Sequence, residues 1–200
     1  MAPPNCLVLP AAFFERDTLT VARALLGCQL LKYELSSNAW LACPIVETEA
    51  YTEEDPACHA YNRTTGRAAA LYGNPGTAYV YLIYGIYDCL NVVTEKQGTA
   101  GAVLFRAVMP PLGSGLKTSG PGRLTKALRI TKSAFNGRAL TQWDSGLCLA
   151  AGTIYPDEAV VQTTRIGIRK AVDYPWRFYV KDSPWVSVRE KSFKLATEPG

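Results

Sequence analysis

Ile45-Val46-Glu47-Thr48-Glu49-Ala50-Tyr51 has the two-residue alternation of a β-strand. The period puts Glu47, Glu49 and Tyr51 on one face and Val46, Thr48 and Ala50 on the other. A carboxylate at the end of an otherwise apolar strand is partly desolvated, which suits it to act as a base. The same pattern fits a sheet edge carrying two solvated glutamates, and the residues alone leave both readings open.

The neighbouring elements follow from this strand. Residues 28–33 and 40–50 are rich in strand formers and flank the polar Ser36-Ser37-Asn38, which predicts a hairpin. Upstream, Asp17-Thr18 precedes the apolar stripe Leu19, Val21, Ala22, Leu25 and Leu26, and Gly27 follows, which predicts a helix over 18–26. Residues 52–75 are charged, then rich in Gly and Ala, with Pro56 and Pro75, and read as a loop with at most one short helix. Strands at about 78–83 and 88–94 flank Tyr84-Gly85-Ile86-Tyr87, and another at 102–109 ends at Pro110-Pro111. A loop over 113–122 leads to a helix over 123–130 opened by Pro121-Gly122. Short strands are expected at about 147–151, 159–163, 176–181 and 185–188, with turns at Asn136-Gly137 and Ser183-Pro184. Many strands and few helices predict an α+β fold over 1–200: a single mixed domain with a curved antiparallel sheet core, a few short helices and a protruding tyrosine-bearing hairpin. The first 15 or so residues are expected to be extended.

Composition limits the class. At 200 residues the chain suits one core, and 48% hydrophobic against 19% charged residues excludes a disordered chain. The net charge of +4 is compatible with a polyanionic partner and too small to argue for one. The six cysteines form no C-x-x-C pair and read as buried thiols of a reducing compartment. With no basic leader and no apolar run of about 18 residues, a cytoplasmic protein is expected, nucleoid-associated if bacterial, with no membrane contact.

Several further residues have chemical potential. Tyr79 and Tyr81 share a strand face and suit a flat base, while Tyr84 sits at the turn; tyrosines are also ordinary sheet-packing residues. His59 is the one histidine, which argues against a zinc site, and the deaminase pattern of H-x-E with P-C-x-x-C is absent. A loop histidine is equally an ordinary surface residue. Arg106, inside Val103-Leu104-Phe105-Arg106-Ala107, must be paired or face a cavity. Ser119-Gly120-Pro121-Gly122-Arg123 precedes a helix and could present amides to a phosphate, though its spacing is wrong for a Walker loop and a simple turn fits as well.

Taken in order, these segments resemble the alkyladenine (3-methyladenine, N-methylpurine) DNA glycosylase family from about Leu19 to Val188. The similarity lies in Ile45 to Tyr51, in Pro75-Gly76-Thr77-Ala78-Tyr79-Val80-Tyr81-Leu82-Ile83-Tyr84-Gly85, and in Cys89-Leu90-Asn91-Val92-Val93. It continues in Val103 to Ala107, in Gly120-Pro121-Gly122-Arg123-Leu124 and in Ser183-Pro184-Trp185-Val186-Ser187.

The resemblance implies a monofunctional glycosylase of base excision repair acting on duplex DNA as a monomer, without cofactor or metal. Its lesions would be 3-methyladenine, 7-methylguanine, hypoxanthine and ethenoadenine. Glu49 matches the carboxylate that activates water and Arg106 the arginine that helps to hold it. Tyr51, His59 and Tyr81 match the residues enclosing the flipped base, and Asn91 the asparagine set against the 2-amino group of guanine. Tyr84 matches the side chain inserted into the vacated stack. Arg67, Arg123 and Lys126 are expected on the DNA backbone. Where the family often shows an Arg-Asn pair, this chain has Arg67-Ala68. The matched pocket motifs contain no lysine, in keeping with water rather than a Schiff base. Two other readings are a non-catalytic nucleic-acid-binding module of the same fold and a metal-dependent hydrolase using the carboxylates of residues 47–55.

Overall fold

The computed structural model describes residues 6–83 and 85–188. The chain enters extended, with the Leu9 amide donating to the Leu149 carbonyl at 2.8 Å, and forms helix α1 (Ala11–Phe14), which buries Phe14. Asp17 then accepts from the Thr20 amide and caps α2 (Thr18–Ala24). This helix stops two residues before the expected end. Gly27, at φ 84°, follows the last turn, and a Cβ there would lie 2.0 Å from the Thr153 carbonyl oxygen.

The hairpin expected from the sequence is β1 (Gln29–Glu34) and β2 (Ala39–Thr52). Within residues 52–75 lies a short 3-10 helix, Gly66–Tyr72. Strands β3 (Ala78–Ile83) and β4 (Tyr87–Val93) form the second hairpin, whose end exposes Leu82, Ile86 and Tyr87. Tyr84 lies outside the described residues. Strand β5 (Gly101–Val108) is buried along its whole length. Helix α3 (Pro121–Ala127) begins at Pro121 rather than Arg123, because a proline ring suits a first helical turn. Thr131 caps a further single turn, α4 (Lys132–Phe135), that has too few residues to show a period. Strands β6 (Leu147–Ala150), β7 (Val160–Thr163) and β8 (Arg177–Val180) complete the sheet.

All pairings among the eight strands are antiparallel, in the order β3-β4-β5-β2-β1-β6, with β8 joining β2 to β7. The fold is mixed α+β, with a curled sheet and short helices. Strand β2 makes the curl possible. Its first half pairs with β1, whereas Glu47, Thr48 and Glu49 lie between β5 and β8. Register shifts on either side of Glu47 skip Val46 and Arg106, so the β2–β5 ladder is irregular where both acidic residues and the arginine are gathered. On the opposite face Val46 and Ala50 join Val21, Leu25 and Phe105 in the main core, and the Thr48 hydroxyl donates to the Ala22 carbonyl.

Residues 185–188, expected as a strand, are not one. The Ser187 amide, which a ladder would use, donates instead to Glu47 Oε2 at 2.6 Å. Among the described residues no helix is long and apolar enough to cross a membrane.

Candidate active site

Because β2 is an interior strand here, Glu47 and Glu49 are both fully buried, and the solvated-edge reading does not apply. Buried carboxylates need donors. Glu49 Oε1 accepts from the Ile166 amide at 2.8 Å and lies 3.2 Å from Arg106 Nη1; its Oε2 accepts from the Tyr51 hydroxyl at 2.8 Å. Burial, then the charge of Glu49, hold the Tyr51 phenol well above its ordinary pKa, so Tyr51 stays protonated and donates.

Glu47 has more partners. Its Oε1 accepts from Arg106 Nε at 3.1 Å, Arg177 Nε at 2.8 Å and the Ser187 hydroxyl at 2.9 Å, while Oε2 takes the Ser187 amide. Arg106 therefore bridges the two carboxylates with different nitrogens of one planar group. Burial opposes its charge, but Glu49 and then Glu47 outweigh that and raise its pKa. Arg106 is both paired and turned to a cavity, as its place in an apolar strand required.

That cavity, of about 710 Å³, is lined by Tyr51, His59, Tyr81, Asn91 and Arg106, and is therefore where five of the expected residues converge. Glu49 does not itself line the cavity; its three partners Tyr51, Arg106 and Ile166 do, so the carboxylate lies directly behind the wall. The His59 ring meets Tyr81 edge-on at 4.6 Å between centroids, and Tyr79 and Tyr81 are 5.4 Å apart. His59 Nδ1 is 2.8 Å from the Tyr79 hydroxyl, whose pKa burial pushes up to about 12. Burial, then the nearby Arg67 and Arg63, lower the His59 pKa, so the ring is neutral at pH 7. Asn91 Nδ2 donates to the carbonyls of Tyr79 and Cys89, which locks the amide against rotation.

Cationic groups ring the opening. Arg123 lines the cavity with Arg169 and Lys170, and Arg67 is exposed near His59. Lys126 is exposed on α3 and does not line it. Gly122 packs under Tyr87: a Cβ there would sit 2.9 Å from the Tyr87 Cβ, so the loop before α3 seats the hairpin.

Sequence reasoning missed the residues that organise this site: Glu47, Arg177 and Ser187 on one side, Asp55, Arg165 and the Ile166 amide on the other. The signal available was a set of charged residues in apolar surroundings, namely Glu47 in Val46-Glu47-Thr48 and Arg177 in Trp176-Arg177-Phe178, each of which demands a buried counterpart. Among the described residues no group of three or more His, Cys, Asp or Glu side chains is placed to hold a metal ion.

Residues 12–184 match the model of the methylpurine-DNA glycosylase family. A protein of Methanoculleus marisnigri provisionally named 3-methyladenine DNA glycosylase is 46% identical over 198 residues, spanning 92% of this chain and 100% of its own. Proteins of the same provisional name are 43% identical in Herpetosiphon aurantiacus, over 90% of this chain and 88% of theirs, and 46% identical in Salinibacter ruber, over 90% and 96%.

Proposed function

The chain belongs to the methylpurine-DNA glycosylase family, a class of DNA repair enzymes that hydrolyse N-glycosyl bonds, and we propose from this that Glu49 is the base that activates water against the sugar C1′ of a damaged purine nucleotide turned out of duplex DNA. The observation that carries this reading is the state of the Glu49 carboxylate. It is fully buried, held by three groups that all line one aromatic cavity, and still has one of its roughly four lone-pair positions open.

The chemistry follows from this placement. A base inside a duplex hides its glycosidic bond, so the nucleotide must leave the stack, at a cost of about a few kcal/mol that is smallest for damaged or mispaired bases. Tyr51, His59 and Tyr81 then enclose the base. The water oxygen bonds to C1′ as the C1′–N9 bond breaks, its proton passes to Glu49, and the bonding pair leaves with the purine. The developing oxocarbenium charge is stabilised by the same carboxylate. Bases such as 3-methyladenine and 7-methylguanine leave a cationic nucleoside and need no acid; hypoxanthine and ethenoadenine complete the proposed range. The Asn91 amide, held by the carbonyls of Tyr79 and Cys89, is set against a purine 2-amino group, which disfavours normal guanine. Tyr84 is the proposed wedge, and Arg67, Arg123 and Lys126 the proposed phosphate contacts.

The test is release of 3-methyladenine from methylated duplex DNA by wild type and Glu49→Gln. The variant is expected to lose about 10²- to 10⁴-fold in rate while still binding duplex. Full activity would overturn the assignment of the base.

A further inference from the structure

The three partners of Glu49 pose a question of their own: what holds the partners? Arg106 is held by Glu47. The other two, the Tyr51 phenol and the Ile166 amide, meet at Arg165. The Arg165 guanidinium stacks between the Tyr51 ring, 4.7 Å from its centroid, and the Trp176 ring, at 5.1 Å. Its Nη1 donates at 2.9 Å to the carbonyl of Ala50, the residue between Glu49 and Tyr51, and Nη2 reaches the Ala171 carbonyl. The next residue in the chain, Ile166, carries the amide that binds Glu49 Oε1.

Asp55 completes the arrangement. Both of its oxygens take Arg165 nitrogens, and neither side chain of the pair is exposed. Asp55 Oδ1 also caps the Ala57 amide, and the Asp55 carbonyl accepts from Cys58, one residue before His59. Burial opposes the Arg165 charge, and the hydrogen bonds and charge of Asp55 outweigh it.

A buried ion pair is a poor way to gain stability, since apolar side chains of the same volume often do as well. Its planar, bidentate geometry is a good way to fix orientation. We propose that Arg165, held by Asp55, is the positioning residue that sets the Glu49 carboxylate plane, by fixing the donor on each of its oxygens. This role rests on the reading of Glu49 as the base. A carboxylate free to tilt would misplace its water by about 1 Å, an error that costs about 10²-fold in rate.

Arg165→Lys keeps the charge and loses the fork and the stacking. In single-turnover release of 3-methyladenine from methylated duplex DNA, its rate constant is expected to fall about 100-fold. Affinity for a duplex bearing an uncleavable tetrahydrofuran abasic analogue is expected to stay within about threefold. Asp55→Asn, which keeps the Ala57 cap, is expected to lose about tenfold in rate, and it decides alone where Arg165→Lys does not fold. A purely structural role would lower the fraction of competent molecules, seen as amplitude, and leave the rate constant unchanged. A rate constant within about threefold of wild type, or rate and affinity falling by equal factors, overturns the proposal. Glu49→Gln run alongside separates the two failures. If it is fully active, the reading of the base falls; if it is inactive while Arg165→Lys and Asp55→Asn are unimpaired, only the positioning role falls.

Discussion

Glu47 and Glu49 are the same side chain, two residues apart on one face of β2, and both are fully buried. They differ in where their partners lie. Glu47 accepts from four donors, two guanidinium groups and a hydroxyl on Oε1 and an amide on Oε2. Its donors come from β5, β8 and Ser187, so it ties three separated parts of the chain together. Glu49 has three partners, all at the cavity wall. Burial and charge are therefore not what mark a reactive carboxylate in this molecule. Having every partner at the cavity wall marks it, and Glu47, of whose partners Arg106 alone lines the cavity, keeps that shared arginine in place.

The largest expected effect is a crossing of two assays. Glu47→Gln leaves Arg177 with an uncompensated buried charge and Arg106 with Glu49 alone, and unfolding in denaturant is expected to show a loss of about 3–5 kcal/mol. Glu49→Gln leaves Arg106 its bond to Glu47 and is expected to stay within about 1 kcal/mol of wild type in stability, while losing far more in rate. If Glu49→Gln proves the more destabilising of the two, the division of labour between them is wrong.

Arg106→Lys sharpens the comparison, because Arg106 serves both carboxylates. A lysine is a point donor and cannot address Glu47 through one nitrogen and Glu49 through another. Both assays should respond: a loss of about 1–3 kcal/mol in stability and about 10- to 100-fold in single-turnover rate. Combined with Glu47→Gln, the stability losses should fall short of their sum by more than about 0.5 kcal/mol, since both remove one contact. Additive losses would mean that Arg106 and Glu47 act independently.

The sequence made some of this legible and concealed the rest for physical reasons. The period of residues 45–51 placed Glu47, Glu49 and Tyr51 on one face, and the Asp17 cap marked the start of α2, because both signals are local. Helices α1 and α4 have four residues each, too few for a helical period to show. Residues 185–188 are strand-like in composition, but the Ser187 amide is committed to Glu47, a partner 140 residues away. The cavity residues Tyr51, His59, Tyr81, Asn91 and Arg106 were gathered from motifs in order, and the structure sets them around one space. Asp55 and Arg165 escaped notice because an ion pair across 110 residues has no periodicity. Glu47 looked idle because its role is set by its partners rather than by its position along the strand.

The smallest expected effects come from removing one neutral donor from each carboxylate. Tyr51→Phe deletes the hydroxyl on Glu49 Oε2, and Ser187→Ala deletes the hydroxyl on Glu47 Oε1. A hydrogen bond to a charged group is worth about 1.5–3 kcal/mol, so the two substitutions are closely matched in what they remove. Their consequences should separate. Ser187→Ala leaves Glu47 with both guanidinium partners and the Ser187 amide, so the loss is expected in unfolding free energy, with the single-turnover rate constant unchanged. Tyr51→Phe keeps the ring that stacks on Arg165 and faces the cavity, so its loss in unfolding free energy is no larger than that of Ser187→Ala, but Oε2 also loses the donor that orients it and the rate constant falls about tenfold or more. Equal losses of rate from both variants would mean that the two carboxylates work as one unit, and that the place of their partners at the cavity wall does not tell them apart.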